Sequence, residues 1–299
     1  MSRLGGLIAL SLVLTVQPSA PQEGGTPRNF VLLFDVLNYT RDAGDAVTFF
    51  FTQVLAPDDQ LMIYTPARVY GFSKETLAQP KRELSEAMKE KLRGDTAACS
   101  LNYKTIFNEM RNQAEAIEGG QTTSADGRSA IKNSLAMYRQ DMEDLRNLRK
   151  VNEPLLMKIV DMFKTQPGKN HMVMIYEAEF RPIPDKETLS RLRAIPEMAF
   201  IVAELFASDD QKSPLDARKF IDLLKEANVS LHFLYIKPKD KSSVQDYKEH
   251  SADMYDVFSQ IAKGTGGLVE TTASPEAALR SLFKAIGEGS KLEKKSTEN

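Results

Sequence analysis

Two carboxylates stand where buried strands are expected to end. Asp35 closes the apolar run Phe30-Val-Leu-Leu-Phe34, and Glu177 closes His171-Met-Val-Met-Ile-Tyr176. Runs this apolar belong to strands covered on both faces, and the carboxyl ends of such strands are where open α/β sheets bind their ligands. Paired carboxylates at one end of a sheet support two chemistries. One is oxygen ligation of a hard divalent cation, Mg²⁺ or Ca²⁺. The other is hydrolysis with Asp35 and Glu177 as acid and base.

The remaining reactive residue types give catalysis little support. The three histidines, His171, His232 and His250, lack metal-ligand spacing, and the first two fall on expected buried strands, where packing is their role. Cys99 is the sole cysteine, which excludes an intrachain disulfide and a cysteine metal cluster. No Gly-x-Ser-x-Gly elbow or Gly-x₄-Gly-Lys-Ser/Thr loop occurs, and Gly264-Thr-Gly-Gly267 precedes a strand, so it reads as a turn and not a phosphate cradle. The tripeptide Arg93-Gly-Asp95 reads as a helix end closed by glycine. The charged face of Met142 to Lys150 reads as solvated surface. The chain is therefore expected to be non-enzymatic. A formal charge of −2 and a pI near 6.1 leave no basic surplus for nucleic acid.

The elements that must position Asp35 and Glu177 follow from periodicity. After the first strand, Ala46, Val47, Phe50, Phe51, Val54 and Leu55 recur at helical spacing, and residues 61–65 and 68–72 form a hairpin around Pro66-Ala67. From Lys74 to Gln166 the sequence is helical in character, with breaks at residues 93–95 and 119–127. Tyr103, Ile106, Met110, Ala114 and Ile117 share one face, and Ile131, Leu135, Tyr138, Met142, Leu145 and Leu148 share another. These stripes predict an antiparallel helical hairpin inserted at about residues 100–165, with a kink or a fresh helix start at Pro154. Helices around 187–206 and 216–227, a strand at 229–236, a helix around 254–262, a short strand at 268–270 and a helix at 276–286 complete an alternation. That alternation predicts a doubly wound, mostly parallel α/β sheet.

The ends of the chain read separately. Residues 1–20 carry one positive charge, an apolar stretch from Leu4 to Val16 and a small-residue ending, the pattern of a secretory signal peptide too short for a comfortable membrane span, with an uncleaved N-terminal anchor as the competing reading. The domain proper is expected over 28–287, and 288–299 are expected to be a disordered charged tail. An exported chain with one thiol must be stable through its core alone, which points to the periplasm or exterior of a bacterial cell.

The order of elements resembles a von Willebrand factor A (VWA) domain of the exported bacterial branch. The residues that carry the resemblance are the first strand ending in Asp35, Gly168-Lys-Asn-His-Met-Val-Met-Ile-Tyr-Glu177, and Phe258-Ser-Gln-Ile-Ala-Lys-Gly-Thr-Gly-Gly-Leu-Val269 with its following helix. The family's metal-ion-dependent adhesion site, Asp-x-Ser-x-Ser with a loop threonine and a later aspartate, is degenerate here. Leu37 and Tyr39 hold the serine positions, Glu177-Ala178 replaces Asp-Gly, and Thr96 or Thr105 matches the threonine poorly. The resemblance implies a metal candidate set of Asp35, Asn38 and Glu177, or a decayed site in which Asp35 caps the following helix or loop. It implies a protein-interaction module that needs no cofactor and docks another envelope or extracellular protein through the helical insertion or the top of the sheet. The alternative it leaves is metal-dependent adhesion to an acidic ligand.

Overall fold

The computed structural model describes residues 28–149, 151–207, 215–238 and 246–297. The expected signal peptide lies outside the described residues. A six-stranded sheet runs in the order β3-β2-β1-β4-β6-β8. Its strands are β1 (Arg28–Asp35), β2 (Gln60–Tyr64), β3 (Val69–Phe72), β4 (Lys169–Glu177), β6 (Val229–Ile236) and β8 (Val269–Thr272). All neighbours pair in parallel except β2 and β3, which form the expected hairpin. The sheet is doubly wound, mostly parallel and Rossmann-like, as the sequence predicts. The chain goes from β1 to β2 on one side and later to β4 on the other, so the order reverses between β1 and β4 and places Asp35 and Glu177 beside this switch point.

Two layers of helices bury the sheet. On one face α1 (Arg41–Phe49), the π-helical turn Phe50–Val54, the first half of α3 (Lys81–Gly119) and α10 (Pro275–Thr297) pack on Phe30, Leu32, Phe34, Val173 and Ile175. On the other, α5 (Glu153–Lys164), α8 (Ala217–Glu226) and α9 (Ala252–Gly264) cover Val31, Leu33, Met172, Met174, Leu231 and Phe233. The short α2 (Lys74–Leu77) leads into α3.

Several boundaries differ from the sequence reading. Helix α3 runs unbroken through Gly94, because Asp95 is buried and accepts from Thr65 Oγ1 at 2.6 Å and Tyr70 Oη at 2.8 Å. Those anchors outweigh a mid-helix glycine penalty of about 1 kcal/mol, and the tripeptide at 93–95 is not a loop. Pro154 starts α5, capped by Asn152, and α5 belongs to the sheet layer. The helical elaboration therefore stops at α4 (Ala125–Leu148), short of residue 165. Leu148 ends α4 on the exposed side, outside the stripe. The charged face at 142–150 is not wholly solvated, since Arg149 reaches Asp253 at 2.7 Å. The 187–206 segment splits into α6 (Lys186–Arg193) and α7, which opens at Pro196 (Pro196–Ala207). Helix α10 continues to Thr297 instead of ending before a tail, its Lys and Glu residues being good helix formers.

The second half of α3, with α4, α6 and α7, builds a third core of Tyr103, Met110, Ile117, Ile131, Leu135, Tyr138, Leu192, Met198 and Val202. This helical lobe is rooted on β5 (Phe180–Pro182), which pairs antiparallel with β7 (Tyr247–Glu249) just beyond the carboxyl ends of β4 and β6. Tyr103 Oη donates to the Phe180 carbonyl at 2.5 Å and Tyr138 Oη to the Pro182 carbonyl at 2.6 Å. Arg181, only 2% exposed, donates to Tyr138 Oη. Tyr138→Phe removes one hydroxyl that both donates and accepts in a dry site. It is expected to cost about 2 kcal/mol, read as a lowered urea midpoint at unchanged slope.

The two strand histidines are packed, as expected. His232 Nδ1 accepts the Leu268 N–H at 3.2 Å, so its proton sits on Nε2 and points to His171 Nδ1 at 3.3 Å, while His171 stacks on Phe30. Burial pushes both pKa values down, to about 3 for His171, where His232 adds to the effect, and to about 4 for His232. Both imidazoles bind protons in the unfolded chain near pH 6.5 but not in the folded one. Their contribution to stability is complete above that pH and is lost as pH falls through about 4 and 3, at about 1.4 kcal/mol per pH unit for each ring. Imidazole ¹⁵N shifts should show neither ring titrating between pH 8 and pH 5.

Candidate functional site

The loop Val36–Thr40 after β1 is the natural place for a ligand in this architecture, and its chemistry is set by Glu177. That carboxylate comes from the end of β4 and is 7% exposed. Its Oε2 accepts the backbone N–H of Leu37 and of Asn38, each at 2.8 Å, and its Oε1 accepts from Asn38 Nδ2 at 2.9 Å. Two consecutive amides converging on one charged oxygen form a small anion nest, and here the anion is internal. The structure thus brings Asn38 and Glu177 together as partners of each other. The shorter aspartate of the resembled motif lacks one methylene of the reach that this latch uses.

The residues at the two lost serine positions are committed to packing. Leu37 lies against the lobe core. Tyr39 lies between α1 and α3: a Cβ added to Gly44 would meet its hydroxyl at 2.2 Å, and Arg93 sits over its ring at 5.0 Å. Thr40 is the cap of α1, its Oγ1 accepting from Ala43 N–H at 3.2 Å, so Asp35 does not cap that helix. Both threonine candidates lie within α3 and not on a loop. Thr105 donates to the Leu101 carbonyl at 3.0 Å, and the Thr96 hydroxyl is buried.

Asp35 keeps a carboxylate that reaches the surface and makes no hydrogen bond or ion pair among the described residues. Partial loss of water around it, with the Glu177 charge adding to it, raises its pKa above the ordinary carboxylate value. One open carboxylate does not make a hard-cation shell. Glu177 has both oxygens occupied, Leu37 and Tyr39 offer no ligand, and among the described residues no group of three or more His, Cys, Asp or Glu is arranged to hold a metal. The residues present do not fit a metal-ion-dependent adhesion site. The acid–base reading is weakened for the same reason, because the second carboxylate is locked into a loop.

A second polar cluster, which the sequence did not reveal, lies two residues further on. Glu179 is buried and accepts from Tyr176 Oη at 2.9 Å, its N–H donates to Ser251 Oγ at 2.9 Å, and His250 Nε2 is 3.5 Å from its Oε2. Burial, then the Asp35 charge, pushes the Glu179 carboxyl up to about 8. Burial and the charges of Arg149, Arg181 and Arg146 hold His250 well below the ordinary imidazole range. Tyr235 Oη joins Glu249 at 2.5 Å and Ser251 at 2.8 Å. These groups fasten β5, β7 and the start of α9 together. The available signal was the run Glu177-Ala-Glu-Phe-Arg181 directly at the end of an apolar strand, three charged residues where the chain leaves the sheet.

No protein-family model matches the chain, and no curated protein matches it. Among solved structures it is similar to the TFIIH p34 N-terminal domain, at 11% identity over 86% of this chain and 95% of that one, with a TM-score of 0.30. A likeness of that size carries no assignment of family or activity. Among the described residues, no helix is long and apolar enough to cross a membrane.

Proposed function

We propose that this chain is a non-enzymatic protein-interaction module on a VWA-type sheet. It is exported to the periplasm or cell exterior, works without a bound metal or other cofactor, and docks another envelope protein. The observation that carries the reading is the helical lobe seated over the carboxyl ends of β4 and β6. Its core packs against Leu37, while Glu177 closes the loop beneath, so the crevice where doubly wound folds take small ligands is occupied by the protein's own side chains. The outer surfaces are what remain for recognition, and long helical elaborations on a rigid sheet suit that task.

The test is cross-linking of the chain in its native envelope. Capture of a partner is expected to survive chelation and Asp35→Ala, and to be lost when exposed apolar residues of the lobe are charged, as in Leu101→Glu or Met137→Glu. Capture abolished by chelator and by Asp35→Ala would sink this reading and restore metal-dependent adhesion to an acidic ligand.

A further inference from the structure

Helix α7 is apolar on two opposite sides. Met198, Val202 and Leu205, at spacings of four and three, are buried in the lobe core. Pro196, Phe200 and Ala203 repeat the same spacing on the opposite side and are exposed, Phe200 by 73%. The only charged residues described on this helix, Glu197 and Glu204, are drawn sideways onto α4. Glu197 meets Arg128 at 2.9 Å and Lys132 at 3.5 Å, and Glu204 meets Arg139 at 3.1 Å. The outer stripe is thereby left without a charge of its own, and a helix apolar on both sides is normally covered on both.

We propose that a second copy of this chain covers that face, with α7 packed antiparallel on α7 around a two-fold axis. Two features select this occupant. Phe200 and Ala203 are a large and a small residue adjacent on one stripe, so antiparallel packing lays Phe200 of each copy over Ala203 of the other, an isologous contact. The flanking charges point the same way. Near Glu197 two cations, Arg128 and Lys132, face one carboxylate, which leaves that end at +1. Near Glu204 the guanidinium of Arg139 serves two carboxylates, Glu204 and Glu143 at 3.7 Å, which leaves −1. An antiparallel pair sets each +1 end against a −1 end, whereas a parallel pair opposes like ends. One helix from each copy is a small contact, so the dimer is weak and reversible. The inference deepens the interaction reading above and rests on it, naming one partner for the lobe's outer surface.

Sedimentation velocity of the purified chain over a wide concentration range tests this. The weight-average sedimentation coefficient is expected to rise with concentration toward the dimer value. Phe200→Glu should weaken association by about tenfold or more, with the thermal midpoint at low concentration unchanged because the residue is exposed. Lys132→Glu should weaken association, and Lys132→Glu with Glu204→Lys should restore it, since reversing both ends recreates the antiparallel match. A chain that stays monomeric at every concentration, or a dimer that persists in Phe200→Glu, overturns the proposal. So does a Phe200→Glu chain that loses capture of a different envelope protein while the parent never self-associates. Failure of self-association leaves capture through Leu101 and Met137 intact, which separates it from failure of the interaction reading itself.

Discussion

Glu177→Ala is expected to lower stability by about 3 kcal/mol and to release the loop after β1. Hydrogen bonds to a charged acceptor contribute about 1.5–3 kcal/mol each, and three donors converge here: the N–H groups of Leu37 and Asn38 and the Asn38 side-chain amide. The loss is smaller than three full bonds because Asn38 is exposed and water can replace part of what it gives up. Glu177→Gln keeps one carbonyl acceptor and should cost roughly half as much. Urea unfolding gives the stability change, and amide hydrogen exchange at Leu37 and Asn38 reports the loop directly. An alanine variant with parental stability and still-protected amides would show that the carboxylate is not what holds the loop.

Gly267→Ala is expected to cost at least about 3 kcal/mol, the largest effect of any single methyl addition considered. A Cβ at Gly267 would stand 1.7 Å from the Leu231 carbonyl oxygen on β6, and backbone cannot move aside as a flexible side chain does. The strand Val269–Thr272 would have to lift from β6 to make room, breaking the pairing from Phe233 to Ile236. Gly94→Ala is the matched control. Its Cβ would meet nothing within 4 Å on the exposed side of α3, so the same chemical change there should stabilise by up to about 1 kcal/mol. Thermal melts of the two variants should shift in opposite directions, and a Gly267→Ala chain with parental stability would disprove the close approach.

The sheet was legible because β1, β4 and β6 are strands of eight or nine residues built around apolar runs of four or five, whose burial on both faces leaves little choice of element. The hairpin β2–β3 and the start of α5 were legible from Pro66-Ala67 and Pro154 for local reasons. What failed was long-range in origin. Gly94 reads as a break because the opposing force, Asp95 held by Thr65 and Tyr70, comes from the β2–β3 hairpin, 30 and 25 residues earlier. Strands β5 and β7 have three residues each, too few for any period to register. The lobe's use of α6 and α7 as walls has no local signature, since an amphipathic stripe states that something covers it and not what does. Asp35 and Glu177 were located correctly at the strand ends, but residue type cannot say whether a carboxylate faces a cation or the amides of its own chain.

The continuity of α3 sets how the molecule comes apart. The lobe has its own hydrophobic cluster, and clusters of that kind ordinarily open as independent cooperative units at a fraction of the global unfolding free energy. Here one helix of 39 residues, about 58 Å long at 1.5 Å per residue, supplies Leu84, Met88 and Leu92 to the sheet layer and Tyr103, Met110 and Ile117 to the lobe. Melting the lobe would fray a helix whose other half is clamped, so the slowest amide protons of the two regions are expected to exchange together. Pulling on the lobe, as a bound partner would, loads the sheet through the same rod.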